Sequence, residues 1–238
     1  MKTIKSLFYL LPFILFACQD DMEETSTLEL EFIHKAGDED FEYGKLYQNE
    51  AENEFSLRLW RTYISEIKLI NSEDEIISIP ESYHLIEPKN GNRFSLNLNQ
   101  IPIGNYKAID FYIGIAGEEN LSGEIIGDLD PSNNMAWNWT TGYKFIRMDG
   151  EFQDAAGNRR GVVVHIGKEI NLKAQEFVFP QLMNISTQNN KISFELDLLE
   201  AFQNPHSIDF EVLSDFQFND EADLIGENYA EGFVKLIE

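Results

Sequence analysis

Phe55-Ser-Leu-Arg-Leu-Trp60 alternates apolar and polar residues, and the apolar positions continue through Tyr63, Ile64, Ile67, Leu69 and Ile70. Successive side chains of a strand point to opposite faces, so a period of two marks a strand with one buried face. The run is long enough for one bent strand or two short ones. Upstream, Leu28, Leu30 and Phe32 alternate with Glu29 and Glu31 ahead of His34, while residues 37–54 are polar and acidic and read as a loop. Downstream, Ile76 to Ile79 is a short apolar run stopped by Pro80, and Phe94, Leu96 and Leu98 repeat the period-two pattern. Ile101-Pro-Ile-Gly-Asn is a turn signal, and Tyr106 to Ile115 is rich in β-branched and aromatic residues. Tyr143 to Met148, Val162 to Ile166, Phe177 to Leu182 and Ile192 to Leu198 complete the series. No helix-length periodic segment separates these runs, which favours a β-sandwich over a βαβ fold. Only the tail has a helical period: Ala222, Ile225, Tyr229, Phe233 and Leu236 recur at spacings of three and four. The expectation is a single all-β, sandwich-like domain of short antiparallel strands, residues 28–238, with a short C-terminal helix.

The first residues read differently. Lys2 and Lys5 precede an apolar stretch from Leu7 to Phe16, which is about 10 residues and too short for a membrane span. Leu15-Phe16-Ala17-Cys18 resembles a lipobox, so residues 1–17 read as a lipoprotein signal peptide and Cys18 as the lipidation site. Residues 18–27, beginning Cys-Gln-Asp-Asp-Met-Glu-Glu, form an acidic tether of the kind that sends lipoproteins to the outer cell surface. The expected location is therefore the outer membrane, facing outward or toward the periplasm, held by the lipid alone.

Composition limits the partners. The net charge is −24, with 42 acids against 18 basic residues, and losing Lys2 and Lys5 takes it to −26. Nucleic acid needs a basic face and is excluded. The single cysteine rules out an internal disulfide framework or thiolate zinc site. No Gly-x-Ser-x-Gly elbow, phosphate loop or nucleophile–base set is present, so an enzyme is not expected.

Four histidines remain: His34, His84, His165 and His206. Imidazole is the commonest side-chain ligand for borderline metals, and copper accepts few ligands. His165, in Val162-Val-Val-His-Ile-Gly167, shares a strand face with Val163, whereas Val162, Val164 and Ile166 point the other way. His84 follows an apolar run and Pro80. A histidine in either setting is also satisfied as a hydrogen-bonded core or rim residue. Trp137-Asn-Trp139 puts two indoles on one strand face, which suits core packing, a stacking platform for carbohydrate, or an oxidation site. Residues 116–134, rich in glycine and acids, form a long loop. Its stretch from Glu118 to Asp130 offers carboxylates and carbonyls to a hard cation such as calcium, as in a structural or adhesion module.

Several motifs together resemble the MbnP-like (methanobactin-associated) copper-binding family. They are Asp110-Phe-Tyr-Ile-Gly-Ile115, Asn120-Leu-Ser-Gly123, Gly127-Asp-Leu-Asp-Pro131 and Met135-Ala-Trp-Asn-Trp-Thr-Thr-Gly-Tyr143, joined by Tyr63-Ile-Ser-Glu-Ile67, Pro80-Glu-Ser-Tyr-His84 and His165-Ile-Gly167. Order and spacing agree from about residue 28 to the C-terminus. The resemblance implies a mainly β, surface or periplasmic copper protein. It implies copper held by two histidines, which fall on His84 and His165, and by a kynurenine made from tryptophan by a di-haem cytochrome c peroxidase-like partner. In some relatives that tryptophan lies two residues before the first histidine, where this chain has Ser82. Tyr83 or Met135 would then complete the site, and Trp137 and Trp139 match family tryptophans. The role implied is copper acquisition or sequestration.

Overall fold

The computed structural model describes residues 24–89, 91–122, 127–138 and 141–237. Along them run β1 (Thr25–Ala36), β2 (Glu39–Asp40), β3 (Tyr47–Gln48), β4 (Glu54–Asn71), β5 (Ile76–Ser78), β6 (Tyr83–Ile86), β7 (Arg93–Pro102), β8 (Gly104–Ile113), α1 (Glu119–Ser122), β9 (Ala136–Asn138), β10 (Gly142–Gln153), β11 (Arg159–Gly167), β12 (Lys173–Ile185), β13 (Asn190–Asp197), β14 (Asp215–Phe216), α2 (Ala222–Asn228) and β15 (Val234–Ile237). The leader and Cys18 lie outside the described residues.

Two sheets form. The smaller has the order β15-β13-β1-β2, with β7 also on β1; the larger has the order β12-β8-β4-β10-β11-β14, with β3, β5 and β6 on β4 and β9 on β10. The all-β, sandwich-like expectation holds, but two details differ. Pairing is mixed rather than purely antiparallel: β1 runs parallel to β13, and β11 parallel to β14. The strands are also not all short, since β4 spans 18 residues. The Ile101-Pro-Ile-Gly turn does not close a hairpin. It carries the chain from β7, on the small sheet, to β8, on the large one.

The tail is half as predicted. Helix α2 stops at Asn228, and Gly232 turns the chain at φ +81° so that Val234–Ile237 pairs antiparallel with β13. A left-handed glycine ends helical continuity, and the β-branched residues beyond it satisfy an open strand edge.

The apolar faces of the sheets meet in one core. Phe32 and Phe194 are register partners on β1 and β13, stacked at 5.3 Å, and Phe111 of β8 meets Phe194 edge-on at 5.4 Å. Trp60 and Ile64 of β4, Ile146 and Met148 of β10, and Val164 and Ile166 of β11 complete it. A second, smaller cluster comprises Tyr63, Leu85, Ile115, Leu129, Met135, Tyr143 and Phe145. It lies on the other face of the large sheet, because Tyr63 alternates with the core residues Thr62 and Ile64. Tyr63 Oη donates to Asp128 O at 2.5 Å and Tyr143 Oη to Leu129 O at 2.7 Å, tying the long loop down over this outer face.

Candidate functional site

Strand alternation puts His165 on the outer face of the large sheet. Its register partner on β10 is Arg147, which in turn pairs with Arg61 of β4. The neighbouring positions Val164 and Ile166 are fully buried in the core. Two residues along β10, Asp149 presents Oδ1 to His165 Nε2 at 2.9 Å, while Gln217 Oε1 lies 2.9 Å from Nδ1. Each ring nitrogen thus lies within hydrogen-bond distance of a side-chain oxygen. Asp149 is fixed from its other side, since Arg147 Nε and Nη2 reach Oδ2 at 2.9 and 2.7 Å. Burial by itself raises the Asp149 carboxyl, but the hydrogen bond from His165 and the charge of Arg147 outweigh it and hold the group below its ordinary value.

This array forms part of a cavity of about 430 Å³, whose lining includes Trp137, Tyr143, Lys144, Arg147 and His165. Trp137 is wedged tightly, because a Cβ built on Gly167 would stand 2.5 Å from its ring and 2.5 Å from Tyr143 O. The glycine of His165-Ile-Gly167 is therefore the space in which the indole sits. Phe218 lies 4.7 Å from that indole at a 39° tilt, and Lys144 Nζ is 5.6 Å from the ring centroid.

His84 sits elsewhere. On β6 it pairs with Ile64, while Ile86 pairs with Thr62. Thr62 in turn pairs with Ile146, and Ile146 with Ile166. Cross-strand partners share a face, so His84 projects toward the sandwich interior and His165 away from it. The expected convergence of the two imidazoles is not what this register shows. Nε2 of His84 is buried and has no hydrogen-bond partner among the described residues. Burial lowers the imidazole's pKa, and the Asp128 carboxylate offsets this only in part.

The other candidate ligands are occupied by structural work. Met135 is fully buried in the outer-face cluster, and Tyr83 packs against the same cluster. Trp139 lies outside the described residues. Ser82, at the position of the oxidisable tryptophan in some relatives, is buried and accepts the Ile67 N–H at 2.9 Å. It thereby satisfies a backbone donor beside Glu66, whose φ of +55° marks an irregularity in β4. In the acidic loop, Asp128 Oδ2 accepts Leu85 N–H at 2.9 Å and Asp130 Oδ1 caps Ser132 N–H at 2.7 Å. Their carboxylates are committed to holding backbone, and among the described residues no group of three or more His, Cys, Asp or Glu side chains could hold a metal. Calcium in the loop is unsupported.

Sequence reasoning missed Asp149, Arg147, Gln217 and Lys144. Arg147-x-Asp149 carried a signal, two charged residues on one face of a strand whose other face is apolar at Ile146 and Met148, but it gains meaning only once β11 is known to be the neighbour.

The geometry defines a class: an all-β sandwich whose long loop is pinned over one sheet face, beside a cavity walled by a carboxylate-held histidine. A family profile described as MbnP matches residues 25–220, and the chain belongs to the MbnP family. The family is associated with methanobactin and copper. Among solved structures, the chain is similar to MbnP from Methylosinus trichosporium, with a TM-score of 0.57 and 17% identity over 78% of this chain and 81% of that one. At that identity the likeness shows the fold. No curated protein matches the chain.

Proposed function

We propose that this is an exported copper-binding lipoprotein, anchored through Cys18 at the outer membrane, in which His165 supplies the copper-binding imidazole. Family membership supplies the metal, and the setting of His165 carries the choice of ligand. An imidazole that gives one N–H to a buried carboxylate is oriented and made more basic at its other nitrogen, a common arrangement behind metal-bound histidine. Here Asp149 is that carboxylate and Nδ1 is the nitrogen left for copper once the Gln217 amide turns aside. Copper suits a site with few imidazole donors, and deprotonation of Nδ1 accompanies its binding. The residues fit a single-histidine site better than a shared one, since His84 faces the other side of the sheet. The role supported is copper acquisition or sequestration, with Trp137 the candidate for oxidation by a di-haem cytochrome c peroxidase-like partner.

Metal analysis of protein purified from its host tests the reading. Copper near one per chain is expected, lost in His165→Ala and kept in His84→Ala. Copper retained by His165→Ala, or no copper in the wild type, overturns it.

A further inference from the structure

The outer-face cavity holds a positive charge, Lys144, that no carboxylate among the described residues neutralises. Lys144 is only 7% exposed, and its ammonium donates to two backbone carbonyls, Asn134 O at 3.3 Å and Ala136 O at 3.2 Å. Among the described residues no carboxylate lies within ion-pair distance of it. The Asp149 carboxylate, whose charge reaches Lys144, is already engaged by Arg147 and His165. A buried ammonium with no ionic partner is costly. Burial and the Arg147 charge push the Lys144 amine down to about 8, which leaves it mostly charged at neutral pH.

The same cavity is rich in donors. Arg147 uses Nε, Nη1 and Nη2 for one contact each with Asp149 and Asn134 O, and a guanidinium has five hydrogens to give. The lining also offers apolar surface, from the Trp137 indole, Ala136 and Leu121 (58% exposed), beside the polar Asn120, Asn134 and His165. A volume of about 430 Å³ is within the usual range for small-molecule sites.

We infer that this cavity is a binding site for a small aromatic carboxylate, its anionic group received by Lys144 and Arg147, and its ring laid against the Trp137 indole. Neither Lys144 nor Arg147 is asked to hold the metal, although His165, the proposed copper ligand, lines the same cavity.

Calorimetry on the full mature chain, with copper removed by a chelator, tests it using benzoate as the probe and benzamide as its neutral counterpart. Benzoate is expected to bind saturably and at least tenfold more tightly than benzamide. In Lys144→Met its affinity should fall tenfold or more, whereas Lys191→Met, on the other sheet, should leave it unchanged. Copper loading of Lys144→Met should match the wild type, which separates failure here from failure of the copper reading. Equal binding of benzoate and benzamide to the wild type overturns the inference even if Lys144→Met does not fold. So does benzoate affinity unaltered in Lys144→Met, or displacement of benzoate by equimolar phosphate, which would mark a bare anion site.

Discussion

Replacing His34 by leucine should flatten the acid limb of the stability curve. His34 is fully buried on β1, its ring edge-on to Trp60 at 4.7 Å and 88°. Its backbone N–H donates to Asn92 O at 2.7 Å, and Nδ1 approaches the same oxygen at 3.1 Å. Nε2 is buried with no hydrogen-bond partner among the described residues. Burial therefore penalises the imidazolium and drives the group from 6.5 down to about 4, against a small opposing pull from the Asn92 carbonyl. The unfolded chain protonates this histidine near 6.5, so between pH 6.5 and 4 the unfolded state holds the extra proton and stability falls with the pH. At about 1.36 kcal/mol for each unit of displacement, the total is about 3 kcal/mol, complete near pH 4 and absent above 6.5. Leucine fills similar space and removes the titrating nitrogen, while Asn92 O keeps its bond from the residue-34 backbone. Urea unfolding of both proteins, followed by tryptophan fluorescence from pH 7.5 to 3.5, isolates the term, because every carboxylate contribution cancels in the difference. The wild type should lose about 3 kcal/mol relative to the variant over that window. A difference curve that stays level from pH 7 to 4 would refute the argument, since it would mean the ring is wet or finds an acceptor on protonation.

Three further outcomes follow from specific contacts. Gly167→Ala forces a methyl into the Trp137 ring and Tyr143 O; thermal unfolding should show about 2 kcal/mol of destabilisation, with a shift in tryptophan emission as the indole is displaced. Asn228 is fully buried, accepts His206 N–H at 2.8 Å and donates to Ala201 O and His206 O at 3.0 and 2.8 Å. Asn228→Leu strands those backbone groups, and denaturant titration should register a loss of about 3 kcal/mol. Asp149→Asn removes the carboxylate that orients His165, so a competition titration against a copper chelator should show affinity roughly 10–100-fold weaker, with His84→Ala as the unaffected comparison.

Some of this architecture was open to reading from the chain. The alternation at Leu28, Leu30 and Phe32, and at Phe55 and Leu57, reports burial of one face, and those residues do line the core; a register irregularity after Leu57 then turns Leu59 away from it and Trp60 into it. The parallel pairing of β1 with β13 was not readable, because Phe32 and Phe194 meet across most of the sequence and no local signal names a partner. The helical period of the tail misled for a definable reason: Tyr229, Phe233 and Leu236 face inward from a helix end, a turn and a strand in succession, and three unrelated elements packing one core imitate a single amphipathic face. At the cavity, the outward direction of His165 followed from its apolar neighbours. Its partners did not, since Asp149 and Gln217 reach it from β10 and from beyond β14.

Ladder parity is what separates His84 from His165, and the parity of β6 is pinned from both ends. A slip of one residue would turn His84 to the outer face and drive Tyr83 inward. Against that slip stand the Ser82 hydroxyl, spent on Ile67 N–H, and Asp128, whose carboxylate accepts Leu85 N–H. Ile86, fully buried in the main core, adds an apolar cost to any shift. Asp128 belongs to Gly127-Asp-Leu-Asp-Pro131, so one of the stretches that marks the family works here as a clamp. Its Asp128 backbone carbonyl receives Tyr63, its Asp128 side chain fixes β6, and its Leu129 fills the outer-face cluster. The motif positions the walls of the cavity by holding the loop and β6 to the sheet, and the polar chemistry of those walls is supplied by β9, β10 and β11.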